Sequence, residues 1–116
     1  MSRNKLLRLL TSLGIGKVDA EVYLYLATNG PKKGRELFKE LNLYKQQVYR
    51  SVKKLQKLGL VKASLKRPAL FTALTIEDSL DSFRETKLEE AEFIKKKKDE
   101  LLSRWQNITK KNSKKL

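Results

Sequence analysis

The 116-residue chain has no cysteine and no histidine. Without cysteine, a disulfide framework and a thiolate metal site are excluded, and a reducing compartment suits the chain. Without histidine, the usual general base and the commonest neutral metal ligand are missing. No metal and no cofactor is therefore expected. Residues 1–75 also lack a carboxylate cluster with catalytic spacing, so no enzymatic activity is expected. Long apolar runs are absent, so no segment is expected to span a bilayer. Arg8 interrupts the short apolar stretch near the start, and no small-residue cleavage site follows, which argues against a signal peptide. The expected location is the cytoplasm, at the nucleoid.

Acidic side chains are the remaining scarcity. Lys and Arg number 27 against 13 Asp and Glu, a net charge of +14. A surplus of this size calls for a polyanionic partner. It is unevenly spread: residues 1–75 hold 16 basic and 4 acidic side chains, residues 76–116 hold 11 and 9. From Asn42 to Arg67 there are eight basic residues and no acidic one. A solvated surface normally mixes signs, so an unmixed stretch on structured sequence points to a polyanion bound there. Bulky apolar anchors are missing around that basic stretch, which disfavours a membrane surface.

The pattern along the chain is mostly α with a small β-hairpin. Leu6, Leu9, Leu10 and Leu13 have helical spacing over residues 3–13, and Gly14 and Gly16 interrupt it. A second helix is expected over Lys17–Thr28, with Val18, Val22, Tyr25 and Leu26 on one face and Asp19 and Glu21 in the first turn. Asn29-Gly30-Pro31 stops it. A third helix spans about Lys33–Leu41, a short turn follows through Asn42-Leu43-Tyr44, and a fourth runs from about Lys45 to Leu58, capped by Gly59. Leu60–Lys66 alternates as a strand, with Val61, Ala63 and Leu65 inward. Arg67-Pro68 turns the chain and Ala69–Leu74 returns. Thr75-Ile76-Glu77-Asp78 has capping-box spacing and opens a long helix reaching about Ile108. This order is that of a winged helix-turn-helix. The expected organisation is a DNA-binding domain over residues 1–75, a dimerisation helix over 76–109 and a basic flexible tail over 110–116.

The helix over Lys45–Leu58 divides its faces as a recognition helix must. Val48, Val52 and Leu55 recur at i, i+4 and i+7, an apolar stripe that fixes the helix on the core. Glutamine can contact adenine with both ends of its amide, and arginine can do the same with guanine. Lys45, Gln46, Gln47 and Arg50 are therefore the base-edge candidates, while Lys53, Lys54 and Lys57 suit phosphates or solvent. Tyr44 and Tyr49 are candidates for stacking or hydrogen bonding at the groove; Tyr49 suits a half-buried packing role equally well. Lys66 and Arg67 at the hairpin tip suit phosphates or the minor groove. Lys32 and Lys33 precede a helix N-terminus, where a backbone phosphate can be anchored.

These residues resemble the winged-helix domain of the TrmB-like archaeal transcription regulators. The likeness lies in Leu13-Gly14-Ile15, the run Val18-Asp19-Ala20-Glu21-Val22-Tyr23-Leu24-Tyr25-Leu26, Gly30-Pro31, Glu36-Leu37, Val48-Tyr49, Leu55 and Gly59-Leu60-Val61. It covers roughly residues 13–75. The chain departs from the family pattern at Lys33-Gly34, where a small or polar cap is frequent, and at Tyr44, where proline is. Full-length members resemble two-part sensors with a sugar-binding domain after the DNA-binding one. Only 41 residues follow Thr75 here, so the resemblance implies DNA binding without sugar sensing, and no small-molecule effector is expected.

In the last helix Ala91, Ile94, Lys98, Leu101, Trp105 and Ile108 recur at alternating spacings of three and four, a short coiled-coil seam with one lysine in it. The expected partners are double-stranded DNA and a second copy of the chain. The homodimer would use Leu6, Leu10, Ala91, Ile94, Leu101, Trp105 and Ile108, and a two-fold dimer would set two recognition helices roughly 34–36 Å apart. The leading expectation is a sequence-specific regulator. The alternatives are an architectural DNA binder of the same fold and a winged helix that binds protein.

Overall fold

The computed structural model describes residues 2–114, with side chains described through Lys110. The chain divides into two units, Met1–Phe83 and Arg84–Leu116.

The first unit is built from α1 (Arg3–Ser12), α2 (Lys17–Asn29), β1 (Lys32–Lys33), α3 (Gly34–Glu40), α4 (Lys45–Lys57), β2 (Val61–Ala63), β3 (Leu70–Ala73) and the start of α5 (Ile76–Lys114). The helix stops follow local chemistry. Ser2 caps α1 by accepting from Lys5 N, and Asn42 leaves α3 with a positive φ of 53°, a conformation that asparagine tolerates better than most residues. Gly59 ends α4 at φ 78°, and its absent side chain leaves room for Ser82 of α5 against the turn. Thr75 Oγ1 accepts from Asp78 N at 3.2 Å and starts α5.

The core lies among α2, α3, α4 and the sheet. Val22, Leu26, Leu37, Val48, Leu55 and Leu60 are fully buried, joined by Ile15, Val52, Val61 and Phe71. The stripe expected on α4 is buried along its length. The first helix is different: of its four spaced leucines, only Leu10 is buried, while Leu6, Leu9 and Leu13 are exposed. On α2 the buried set is Asp19, Ala20, Val22, Tyr23 and Leu26, with Val18 and Tyr25 half-buried. Tyr23 goes inside because its hydroxyl has partners there. It donates to Leu74 O at 2.9 Å and lies 3.0 Å from Ser79 Oγ.

The hairpin is part of a three-stranded antiparallel sheet in the order β1-β3-β2. Strand β3 is central: Val61, Lys62 and Ala63 of β2 face Ala73, Thr72 and Phe71, and Lys32 and Lys33 of β1 face Phe71 and Leu70. The third strand was not expected, because two lysines after Gly30-Pro31 carry no strand periodicity. Strand β2 is also shorter than its alternation suggests. Ser64 ends it by donating its N–H to Leu70 O and accepting from Leu70 N, both at 2.9 Å. Beyond that closure Leu65 does not continue the inward face and is fully exposed. The first unit extends past Thr75 to Phe83, because Ser79 and Phe83 of α5 are buried.

In the second unit the chain is helical from Arg84 to the end of α5 at Lys114. Leu88, Phe93, Ile94, Leu101, Trp105 and Ile108 are all exposed. Lys87–Glu90, Lys97–Glu100 and Arg104–Glu100 pair along the helix at 3.4–3.6 Å, and Lys97 sits 5.9 Å from the Phe93 ring centre. Exposed pairs of this kind contribute little stability each. The expected tail at 110–116 lies largely outside the described residues, although the helix backbone is described through Lys114. Among the described residues, no helix is long and apolar enough to cross a membrane.

Candidate nucleic-acid interface

The site is organised by α4. Val48, Ser51, Val52 and Leu55 turn inward, so the opposite face carries Gln46, Arg50, Lys53 and Lys57, with Lys54 at its flank and Lys45 at the N-terminal end, all exposed. Gln46, Arg50 and Lys53 have no side-chain hydrogen bond or ion pair among the described residues. Their polar groups are therefore available to a ligand at no cost in broken contacts. Lys62 on β2, and Leu65, Lys66 and Arg67 in the wing loop, are likewise exposed.

Two contacts hold α4 at its angle. Asp19 of α2 is nearly buried and accepts from Ser51 Oγ of α4 at 2.6 Å. Its other oxygen lies 3.7 Å from Lys54 Nζ. Lys54 thus has a partner inside the protein, which sets it apart from Lys53. Nothing in the sequence pattern marked Asp19 for this, because the first turn of a helix favours an acidic residue on dipole grounds alone. The second contact is Tyr49. Its ring lies against Gly34, where a Cβ would come within 2.7–3.0 Å of the ring edge. Gly34 is the first residue of α3, so Tyr49 joins the two helices of the helix-turn-helix. Tyr49 is otherwise exposed, at 44 %.

The remaining candidates fall in three places. Tyr44, at the N-terminus of α4, is 77 % exposed. Gln47 is half-buried and its Oε1 accepts from Tyr44 N at 2.9 Å. Lys32 and Lys33 lie in β1 beside the wing strand, Lys33 exposed and Lys32 half-buried. At the start of α3 the Glu36 carboxylate accepts from Lys33 N at 3.1 Å, which places a negative group beside the turn where a phosphate is expected. Leu10, expected at a dimer interface, is buried within its own unit. Leu6, Ala91, Ile94, Leu101, Trp105 and Ile108 are exposed. Among the described residues there is no cluster of groups that could hold a metal ion.

A core of helices, a helix-turn-helix with a cationic outer face, and a basic wing define the winged helix-turn-helix fold of DNA-binding regulators. Residues 9–77, more than half of the chain, match the family described as sugar-specific transcriptional regulator TrmB. The chain belongs to this family, whose members are regulators rather than enzymes. Among solved structures, TrmBL2, an archaeal chromatin protein reported to show a novel mode of DNA binding, is 23 % identical. Its TM-score is 0.66 over 88 % of this chain and 42 % of its own. This chain therefore spans less than half the length of TrmBL2. The transcriptional regulator Tm0710 from Thermotoga maritima is 19 % identical with a TM-score of 0.55, over 94 % of this chain and 84 % of its own. ST1889 from the thermoacidophilic archaeon Sulfolobus tokodaii is 27 % identical with a TM-score of 0.51, over 67 % and 86 %. No curated protein matches the chain.

Proposed function

We propose that the chain binds double-stranded DNA sequence-specifically as a homodimer and acts in transcription regulation. The observation that carries the reading is α4. Its back is buried to the last residue of the stripe, and its outer face presents Lys45, Gln46, Arg50 and Lys53 in the open. Inserted in a major groove, the N-terminal turns meet base edges and the later cations meet phosphates. Lys66 and Arg67 in the wing, and Lys32 and Lys33 beside it, add backbone contacts. The dimer reading rests on the exposed seam from Ala91 to Ile108, where each copy would cover the other's Trp105. Residues 1–75 would supply the DNA contacts and 76–109 the dimer.

The test is a charge reversal away from Lys54, whose pairing with Asp19 would confuse the result. Lys53→Glu with Arg67→Glu removes two phosphate contacts. The logarithmic salt slope of DNA binding should fall by about 2 and affinity by at least tenfold. Unchanged affinity would instead favour a winged helix that binds protein. An architectural reading has support of its own: TrmBL2 is a chromatin protein. Comparing selected and random duplexes separates the two, since an architectural binder shows a small specificity ratio on a steep salt slope.

A further inference from the structure

The base-edge candidates include two adjacent glutamines, and the fold uses them differently. Gln47 is the third residue of α4, and its Oε1 accepts from the backbone N–H of Tyr44, the residue before the helix, at 2.9 Å. Glu36 does the same at the start of α3, accepting from Lys33 N. Each is the backward-reaching arm of a capping box. To read adenine, a glutamine needs both ends of its amide, with Oε1 accepting from the N6 amino group and Nε2 donating to N7. With Oε1 holding the Tyr44 N–H, Gln47 must share or give up that hydrogen bond to accept from adenine N6, whereas Gln46 has no such bond to break. It is also half-buried, whereas Gln46 and Arg50 are exposed with no side-chain partner among the described residues. Gln46 and Arg50 are four residues apart and so share one face of the helix.

We propose that base discrimination by this protein rests on Gln46 and Arg50, and that Gln47 is a positioning residue that fixes the first turn of α4. The inference rests on the sequence-specific reading above. Each half-site then contains an A·T pair read by Gln46 and a G·C pair read by Arg50. Gln47 determines how firmly the turn carrying Gln46 is held, and adds no base preference of its own.

Selection of binding sites from a random duplex pool, paired with thermal melting, tests this on the full chain. Gln47→Ala removes the cap and should lower the melting temperature by about 4 °C without altering the selected motif. Gln47→Glu keeps the capping oxygen and should restore the melting temperature. Its added charge weakens binding to every duplex alike, again with the motif unchanged. Gln46→Ala should relax the A·T position and Arg50→Ala the G·C position, each by about tenfold. A motif that changes with Gln47→Glu, or a melting temperature indifferent to Gln47→Ala, overturns the proposal. So does a motif indifferent to both Gln46→Ala and Arg50→Ala. A wild-type protein that selects no motif at all overturns the sequence-specific reading itself, and is distinguished from the other failures by the wild-type arm alone.

Discussion

Between Ile15 and Phe83 the large aliphatic side chains mostly find cover inside the chain: Leu26, Leu37, Leu55 and Leu60 are essentially inaccessible. Between Arg84 and Lys110 the same kinds of residue stand open, with Ile94, Leu101, Trp105 and Ile108 each more than 60 % exposed. Charge is distributed the other way round. The first region keeps its cations unmixed on one helix face and the wing, while the second interleaves them with carboxylates in pairs along the helix. A region that satisfies its own apolar residues and leaves its charges unmatched is built to meet a charged ligand. A region that mixes its charges and leaves an apolar stripe open suits an apolar partner, as the proposed dimer would supply.

The sharpest way to break this comparison is to truncate a leucine in each region. Leu55→Ala opens a cavity in the core and should cost about 2–5 kcal/mol in denaturant unfolding. Leu101→Ala removes a side chain already in water and should change the unfolding of the dilute monomer by less than about 0.5 kcal/mol. Equal losses at the two positions would mean that residues 84–110 are covered within a single chain.

Trp105→Glu asks whether the stripe is an interface. Loss of a central aromatic from a packed seam should weaken self-association by about 2 kcal/mol or more, read as a shift to monomer in sedimentation at fixed concentration. A protein that remains monomeric before and after the change would remove the dimer from the proposal. Asp19→Ala acts in the first region alone. It strips Ser51 of its acceptor and Lys54 of its partner, and should cost about 1–3 kcal/mol in unfolding. Because it frees a cation on the recognition face, its effect on nonspecific DNA binding should run opposite to its effect on stability. A parallel loss of both would mean that the tilt of α4 matters more than its charge.

What the sequence made legible follows from periodicity. The buried stripe of Val48, Val52 and Leu55 and the glycine cap at Gly59 are strong local signals, and the structure has both. Strand β1 has two residues and no period, so nothing announced that Lys32 and Lys33 pair with the wing strand. Leu65 misled because alternation cannot tell where a strand ends; Ser64 closes the ladder with its own side chain. The four leucines of α1 have ideal spacing, yet only one is buried, because spacing fixes a face without saying what will cover it. In the site, the open face of α4 was readable from charge. The commitments of Lys54 to Asp19 and Tyr49 to Gly34 were not, since each depends on a partner from another helix, and that of Gln47 to Tyr44 is local but gives no sign in a face that reads as polar throughout.

A smaller expected loss than at Leu55 or Asp19 lies at Tyr23, and it isolates the first region through pH. Burial raises the Tyr23 phenol above its ordinary value of 10.0, and the hydrogen bond with Ser79 offsets part of that rise. The folded state therefore holds this proton more tightly than the unfolded state does. Below about pH 10 both states are protonated and the contribution to stability is constant. As pH rises above that, the unfolded chain loses the proton first and stability falls. Tyr23→Phe removes the hydroxyl that donates to Leu74 O, at a cost of about 1 kcal/mol at neutral pH. Leu74 O keeps the Ser79 hydroxyl at 3.3 Å as a donor, which limits the loss. The variant also lacks the alkaline limb, so the stability difference between wild type and Tyr23→Phe should shrink as pH is raised through 10. Unfolding measured at pH 7 and at several values above 10 provides the check. A difference that stays constant would mean that the phenol is not held in the buried arrangement that joins α2 to the start of α5.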